Sequence, residues 1–218
     1  MKLVSVNVAE PREVEYNGKK VRSSIWKEPV SGAVEVGEIN IRGDRQSTAV
    51  IHGGIHKAVY AFSLDHYPWW QKQLKRDDLA PGMFGENLTI RGLDETKARI
   101  GDQWQIGTCR FVITGPRIPC SNLAMKFTDA TVPKRFTDSG WPGVYLRVLE
   151  TGTIAAGDSV RVLSKGKGAS IQAFFHAYTH PRDSASRGVL EKTLLNPALD
   201  PEMVGNIHKR LNPGATET

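Results

Sequence analysis

Only two cysteines, Cys109 and Cys120, occur among the 218 residues. That is too few for a disulfide framework, and too few for the thiolates of an iron–sulfur cluster. No apolar run approaches the roughly 20 residues that a spanning helix needs, so a membrane partner is not expected. The stretch Met1 to Glu10 lacks the basic start and small-residue cleavage site of a signal peptide. It reads instead as a strand carrying Leu3, Val4, Val6 and Val8. The expected location is therefore cytoplasmic, with both thiols reduced. Walker spacing and a dinucleotide glycine fingerprint are both missing. There is no block of five Lys/Arg and no aromatic-plus-basic stripe, so only the net charge of +6 speaks for nucleic acid. A nucleic-acid partner is not expected, and the basic residues read mainly as a solvated surface favouring anions.

What the chain has is turns. Its 21 glycines and 12 prolines punctuate short apolar runs, a pattern that leans toward β structure. Val34 to Ile41, Ala49 to Phe62, Asn87 to Ile90, Gln103 to Ile106, Cys109 to Thr114, Gly143 to Leu149 and Val160 to Leu163 read as strands. Asp65 to Arg76, with Tyr67, Trp70 and Leu74 on one side, reads as a helix. Many short strands with few helices predict a mainly β fold over residues 1–163, a closed or nearly closed β-barrel. Residues 164–169, Ser-Lys-Gly-Lys-Gly-Ala, break the composition and read as a linker. Residues 170–218 then read as a small three-helix segment, with starts at Ser170, Ser184 and Asp200-Pro201.

The two cysteines sit in different contexts. Cys109, Phe111 and Ile113 share one strand face at period two, which makes Cys109 a core residue. Cys120 lies in a loop, Pro116-Arg117-Ile118-Pro119-Cys120, where two prolines restrict the backbone. A guanidinium beside a thiol favours the thiolate, the form that binds metal or attacks. Three further motifs carry polar groups. His52-Gly53-Gly54-Ile55-His56-Lys57 combines glycines that let backbone approach an anion with a cation, although it also reads as a plain turn. Arg22-Ser23-Ser24-Ile25-Trp26-Lys27 sets hydroxyls beside cations, as Ser24 with Arg22 or Ser23 with Lys27, and fits a solvated edge strand equally. Gly82-Met83-Phe84-Gly85-Glu86-Asn87-Leu88 sets Glu86, a candidate acid or base, and Asn87, a candidate ligand donor, in a tight turn.

In this order, these motifs together with Gly43-Asp44 and Gly101-Asp102 resemble the MOSC family, the domain at the C-terminus of molybdenum cofactor sulfurases and in stand-alone bacterial proteins. The tail resembles the three-helix segment of the YiiM-like bacterial branch, except that Met203-Val204-Gly205 stands where a tryptophan-arginine pair is expected. The resemblance implies a β-barrel that binds the molybdenum cofactor, molybdopterin, with Cys120 as the ligand to molybdenum. It also implies reduction of N-hydroxylated compounds such as N-hydroxylated nucleobases and amidoximes.

On that reading a soft thiolate suits a metal already held by dithiolene sulfur. Ser24, Lys27, Gly53, Gly54, Lys57, Asn87 and Arg117 are the candidates to bind the cofactor. Besides Cys120, Glu86 and His52 are the candidate catalytic residues, as proton donors. Electrons must come from a separate electron-donor protein, since neither a cluster nor a dinucleotide site is encoded. The competing expectation is a cofactor-binding or sulfur-carrier module with a persulfide on Cys120 and no turnover of its own. The sequence leaves the oligomeric state open.

Overall fold

Leu3 and Val6 point inward from the first strand and are fully buried, which is how the barrel begins. The computed structural model describes residues 1–47, 54–180 and 184–212. The early strands are β1 (Lys2–Val8), β2 (Arg12–Tyr16), β3 (Lys19–Ser23), β4 (Glu28–Pro29), β5 (Val34–Val36), β6 (Val59–Ser63) and β7 (Leu88–Arg91). The later ones are β8 (Gln103–Ile106), β9 (Cys109–Gly115), β10 (Val144–Glu150), β11 (Gly152–Ile154) and β12 (Val160–Ser164). Among the described residues six α-helices accompany them: α1 (Tyr67–Leu74), α2 (Ser121–Phe127), α3 (Val132–Ser139), α4 (Ile171–Thr179), α5 (Ser184–Thr193) and α6 (Pro201–Leu211).

One sheet carries the fold, in the order β12-β8-β9-β10-β6-β7-β1-β4. All its pairs are antiparallel except β6 with β7, whose crossover contains α1. The sheet curls until β1 meets the start of β12. Leu3 N–H donates to Asp158 O at 2.9 Å, Gly157 N–H to Leu3 O at 2.8 Å and Val160 N–H to Met1 O at 3.0 Å. These bonds join β1 to the start of β12 and leave little open edge on that side. The hairpin β2–β3 stands apart, turning at Asn17 and Gly18, both with positive φ (53° and 71°).

The barrel core and the tail are one apolar body. Leu3, Ile90, Trp104 and Phe111 pack in the same buried cluster as Phe174, Tyr178, Leu190, Met203 and Ile207. Ser170 Oγ accepts the Ala173 N–H at 3.2 Å to start α4, and Asp200 Oδ1 accepts the Glu202 N–H at 3.0 Å to start α6. A second, aromatic cluster of Tyr60, Phe62, Tyr67, Trp70, Phe84, Phe127 and Phe136 lies beneath α1, α2 and α3.

Several elements differ from expectation. The run from Val34 ends as a strand at Val36, because a turn from Gly37 to Asn40 intervenes (N–H to O, 2.9 Å) before Ile41 bridges back. Of Ala49 to Phe62, residues 49–53 lie outside the described residues, Ile55–Lys57 is one 3-10 turn, and the strand proper is Val59–Ser63. Helices α2 and α3 follow Cys120, where the sequence pattern assigned no element. Residues 164–169 are stitched to the barrel: Asp102 takes the Gly166 N–H at 2.7 Å and the Lys165 ammonium at 3.0 Å.

Candidate functional site

The loop that leaves β9 at Gly115 carries Cys120, which immediately precedes α2 in extended backbone (φ −135°). It is half-buried, whereas Cys109 is completely buried, with its thiol pushed up to about 11 by burial and then by the Asp158 carboxylate. Cys120 lines a cavity of about 100 Å³ with Ser24, Lys27, Asp44, Lys57, Tyr60, Asn87, Arg117 and Tyr145. The fold thus brings Ser24, Lys27, Lys57, Asn87 and Arg117 together around the thiol.

Their roles are set by their partners. Arg117 is buried beneath this wall: Nη1 donates to Phe84 O, and the guanidinium lies 4.9 Å above the Tyr60 ring. Burial works against its charge, but Tyr60, Tyr145 and Cys120 outweigh it and hold its pKa above the ordinary value. Gly85 keeps this approach open, because at φ +76° a Cβ would meet Ile25 Cγ1 at 2.8 Å and Arg117 Nη1 at 3.4 Å. Lys27 is ion-paired with buried Asp44, and burial still drives its pKa down. Asp44 also accepts the Ala9 N–H at 2.8 Å and Asn87 Nδ2 at 2.9 Å. Asn87 in turn accepts the Tyr60 N–H at 3.1 Å, so it ties β6 and β7 to Asp44 while lining the cavity. Lys57, which also lines the cavity, is paired by Asp200 at 3.4 Å and by Glu202.

Among the described residues, two of the expected ones, Gly54 and Glu86, do not line the cavity. His52 and Gly53 lie outside the described residues. Gly54 is exposed and donates its N–H to Gln46 Oε1 at 3.1 Å. Glu86 is also displaced from the expected position. Completely buried, it accepts the Tyr67 hydroxyl, Gly82 N–H (2.8 Å), Phe84 N–H (3.0 Å) and the Thr89 hydroxyl (2.8 Å). Its carboxylate organises the Gly82–Asn87 turn from beneath, out of contact with the cavity.

A second cavity, about 200 Å³, shares Lys57, Ile118, Cys120 and Tyr145 with the first. Its other wall comes from the tail: Tyr178 of α4 and Glu202, Met203 and Asn206 of α6. Cys120 therefore stands in a partition, with a polar, cationic space on one side and a mixed, tail-roofed space on the other. Among the described residues no three His, Cys, Asp or Glu side chains converge to hold a metal ion.

Comparison with known proteins decides the family. The MOSC domain model matches residues 48–161. The chain belongs to the MOSC domain family, in its YiiM-like bacterial branch. It is 37% identical over 198 residues to YflK of Bacillus subtilis, covering 90% of this chain and 88% of that protein. YiiM from Geobacillus stearothermophilus superposes with a TM-score of 0.81 at 32% identity, over 96% of this chain and 98% of the other. A protein of Gibberella moniliformis named as a reductase is 31% identical over 151 residues, which is 68% of this chain but 27% of its own length.

Sequence reasoning assigned no chemical role to Asp44, Tyr60, Tyr145 or Glu202, which this MOSC chain places on or behind the Cys120 walls. For Asp44 the dipeptide Gly43-Asp44 was the available signal. The two tyrosines and Glu202 had none, being ordinary members of strands β6 and β10 and of a helix. No described helix is long and apolar enough to cross a membrane.

Proposed function

We propose that this chain is a molybdenum-cofactor-binding reductase of N-hydroxylated compounds, with N-hydroxylated nucleobases and amidoximes as its substrate class. The observation that carries the reading is the thiol of Cys120 in a wall common to two cavities. The donor set fits the cofactor. Cys120 is a soft ligand for the metal. Ser24 and Arg117 face an anionic group with a hydroxyl and a cation, and Lys27 and Lys57 add charges already balanced, by Asp44 and by Asp200 with Glu202. A space of about 100 Å³ suits the head of such a ligand, with its bulk lying outside.

When bound, the cofactor supplies a two-electron redox centre. The chain supplies position and protons. Arg117, fixed by Phe84 O and Tyr60, is pre-organised and does not need to reorient to meet an anion. Tyr145 lines both cavities and is the proton-bearing side chain we assign to the substrate side, in place of Glu86. The tail-roofed cavity is our site for the substrate, with Met203 and Ile118 giving apolar contact and Asn206 a hydrogen-bonding amide. Electrons come from a separate donor protein.

The test is metal analysis of protein made in a host competent for the cofactor, with turnover of an amidoxime by an artificial electron donor. Wild type should carry molybdenum and reduce the amidoxime, and Cys120→Ala should lose both. Equal molybdenum in the two proteins sinks the ligand assignment. A stable addition of one sulfur to Cys120 with no turnover of any N-hydroxylated compound would support the sulfur-carrier reading instead.

A further inference from the structure

The most spacious of the described cavities, about 720 Å³, is not the one at Cys120. It lies on the outer face of β8, β9 and β10, closed by residues 164–168 and by the α5–α6 loop. Its walls carry Arg147, Lys165, Lys167 and Lys192, and no acidic side chain. Lys165 is satisfied by Asp102 at 3.0 Å. The side chains of Arg147, Lys167 and Lys192 have no hydrogen bond or ion pair among the described residues. Arg147 is the informative one. It is half-buried, and its Nε is shielded from solvent without an acceptor. A guanidinium holds five donors in a fixed fork, and leaving a shielded one unpaired is unfavourable. Among the described residues no carboxylate pairs with it.

The wall is built rather than loose. Asp102 Oδ1 takes the Gly166 N–H at 2.7 Å, and Asn196 Nδ2 donates to Ile100 O at 2.9 Å and to Lys167 O at 3.3 Å. Beside the cations lie Leu149, Pro197 and Leu195, the last 83% exposed. Three unanswered cations suit a dianion, the forked guanidinium suits phosphate oxygens, and the aliphatic rim suits a carbon skeleton. The volume falls within the range of small-molecule sites.

We propose that this cavity binds a small phosphate monoester of nucleotide size, with its phosphate on Arg147, Lys167 and Lys192 and its carbon skeleton against Leu149 and Leu195. The site is separate from Cys120 and stands whether or not the reductase reading does.

The experiment is calorimetric titration of the full chain with adenosine 5′-monophosphate, adenosine and inorganic phosphate in separate runs. The monophosphate should bind at least tenfold more tightly than either fragment. Arg147→Gln should weaken it at least tenfold. Leu195→Glu, a change at an exposed rim position that leaves the core untouched, should weaken it several-fold. Cys120→Ala should bind it as wild type does. The proposal is overturned if the monophosphate shows no binding at millimolar concentration, if it binds no better than inorganic phosphate, or if both Arg147→Gln and Leu195→Glu stay within twofold of wild type with unchanged circular dichroism.

Discussion

Lys57 on the barrel wall and Asp200 at the head of α6 meet across the junction of barrel and tail, with Nζ 3.4 Å from Oδ2. Glu202 takes the same ammonium from one turn-start further on, although it lies 145 residues away in the chain. The pairing gives the tail a direct hold on a residue that lines both Cys120 cavities.

The two acids should not weigh equally. Asp200 is buried and also caps α6 through the Glu202 N–H, whereas the Glu202 side chain is 53% exposed. Asp200→Ala removes a cap worth about 1 kcal/mol and one partner of a shielded ammonium. Glu202→Gln removes a largely solvated partner worth at most about 1 kcal/mol. Urea midpoints should fall further for Asp200→Ala, and equal midpoints would contradict the assignment. Burial lowers the Lys57 pKa, but its two acids outweigh this and leave it raised. The stability it contributes is therefore complete at pH values below the unfolded lysine range, and is lost as alkaline pH rises through the folded value.

Glu86 should behave as a structural carboxylate. Two backbone N–H groups and two hydroxyls converge on it in a fully buried turn. Glu86→Ala leaves these donors unanswered and should cost on the order of 3 kcal/mol, with Glu86→Gln close behind, because an amide NH₂ would face donors. Denaturant unfolding measures this. A Glu86→Gln protein of wild-type stability that had lost turnover would restore the acid–base role expected from sequence.

How much of this was legible follows from how each signal arises. Period-two runs gave the strand Gln103–Ile106 unaltered and β9 to within a residue, because one face of each is buried. The hairpin β2–β3 was missed although Asn17-Gly18 is a strong turn signal. Its strands are mostly exposed and charged, so they lack the alternation that marks a half-buried strand. Helices α2 and α3, seven and eight residues long, are too short for a 3.6-residue period to stand out. At the site, ordered motifs led to Ser24, Lys27, Lys57, Asn87, Arg117 and Cys120, which do meet around one cavity. The placement of Glu86 was not legible, because a carboxylate in a glycine-rich turn reads alike whether it faces a ligand or accepts its own backbone. The tail-roofed cavity was illegible, since Tyr178, Met203 and Asn206 join Cys120 only through the packing of α4 and α6 on the barrel.

The two thiols should separate cleanly in alkylation. Cys109 is wholly buried, with its thiol pushed up to about 11, whereas Cys120 is partly exposed at a cavity wall. Iodoacetamide at pH 8 should therefore label one site in the native protein and two in the denatured one. Peptide mapping should find the native label on Cys120 and none in Cys120→Ala. Native labelling of Cys109 at a comparable rate would contradict the packing of β9.

Lys126 gives the clearest pH signature. It lies on α2 beneath the turn that Glu86 organises, donating to Ile25 O at 3.3 Å and Gly82 O at 3.4 Å. Burial lowers its pKa to about 8, with Arg12 and Lys27 adding to the effect and Glu86 and Glu28 opposing it. Below that value the folded state carries a poorly solvated charge that the unfolded chain holds freely in water. Between about 8 and the ordinary lysine value of 10.5 the unfolded state binds more protons than the folded one. Stability contributed at this position should therefore rise with pH across that window, opposite in sign to Lys57. Lys126→Met removes the titration and the charge together. Relative to wild type, the variant should be at its most favourable near pH 7 and lose that relative advantage as pH climbs from 8 to 10. Urea unfolding at pH 7, 8.5 and 10 measures the difference, and a gap that stays constant or widens in the variant's favour would show that the Lys126 pKa is not lowered.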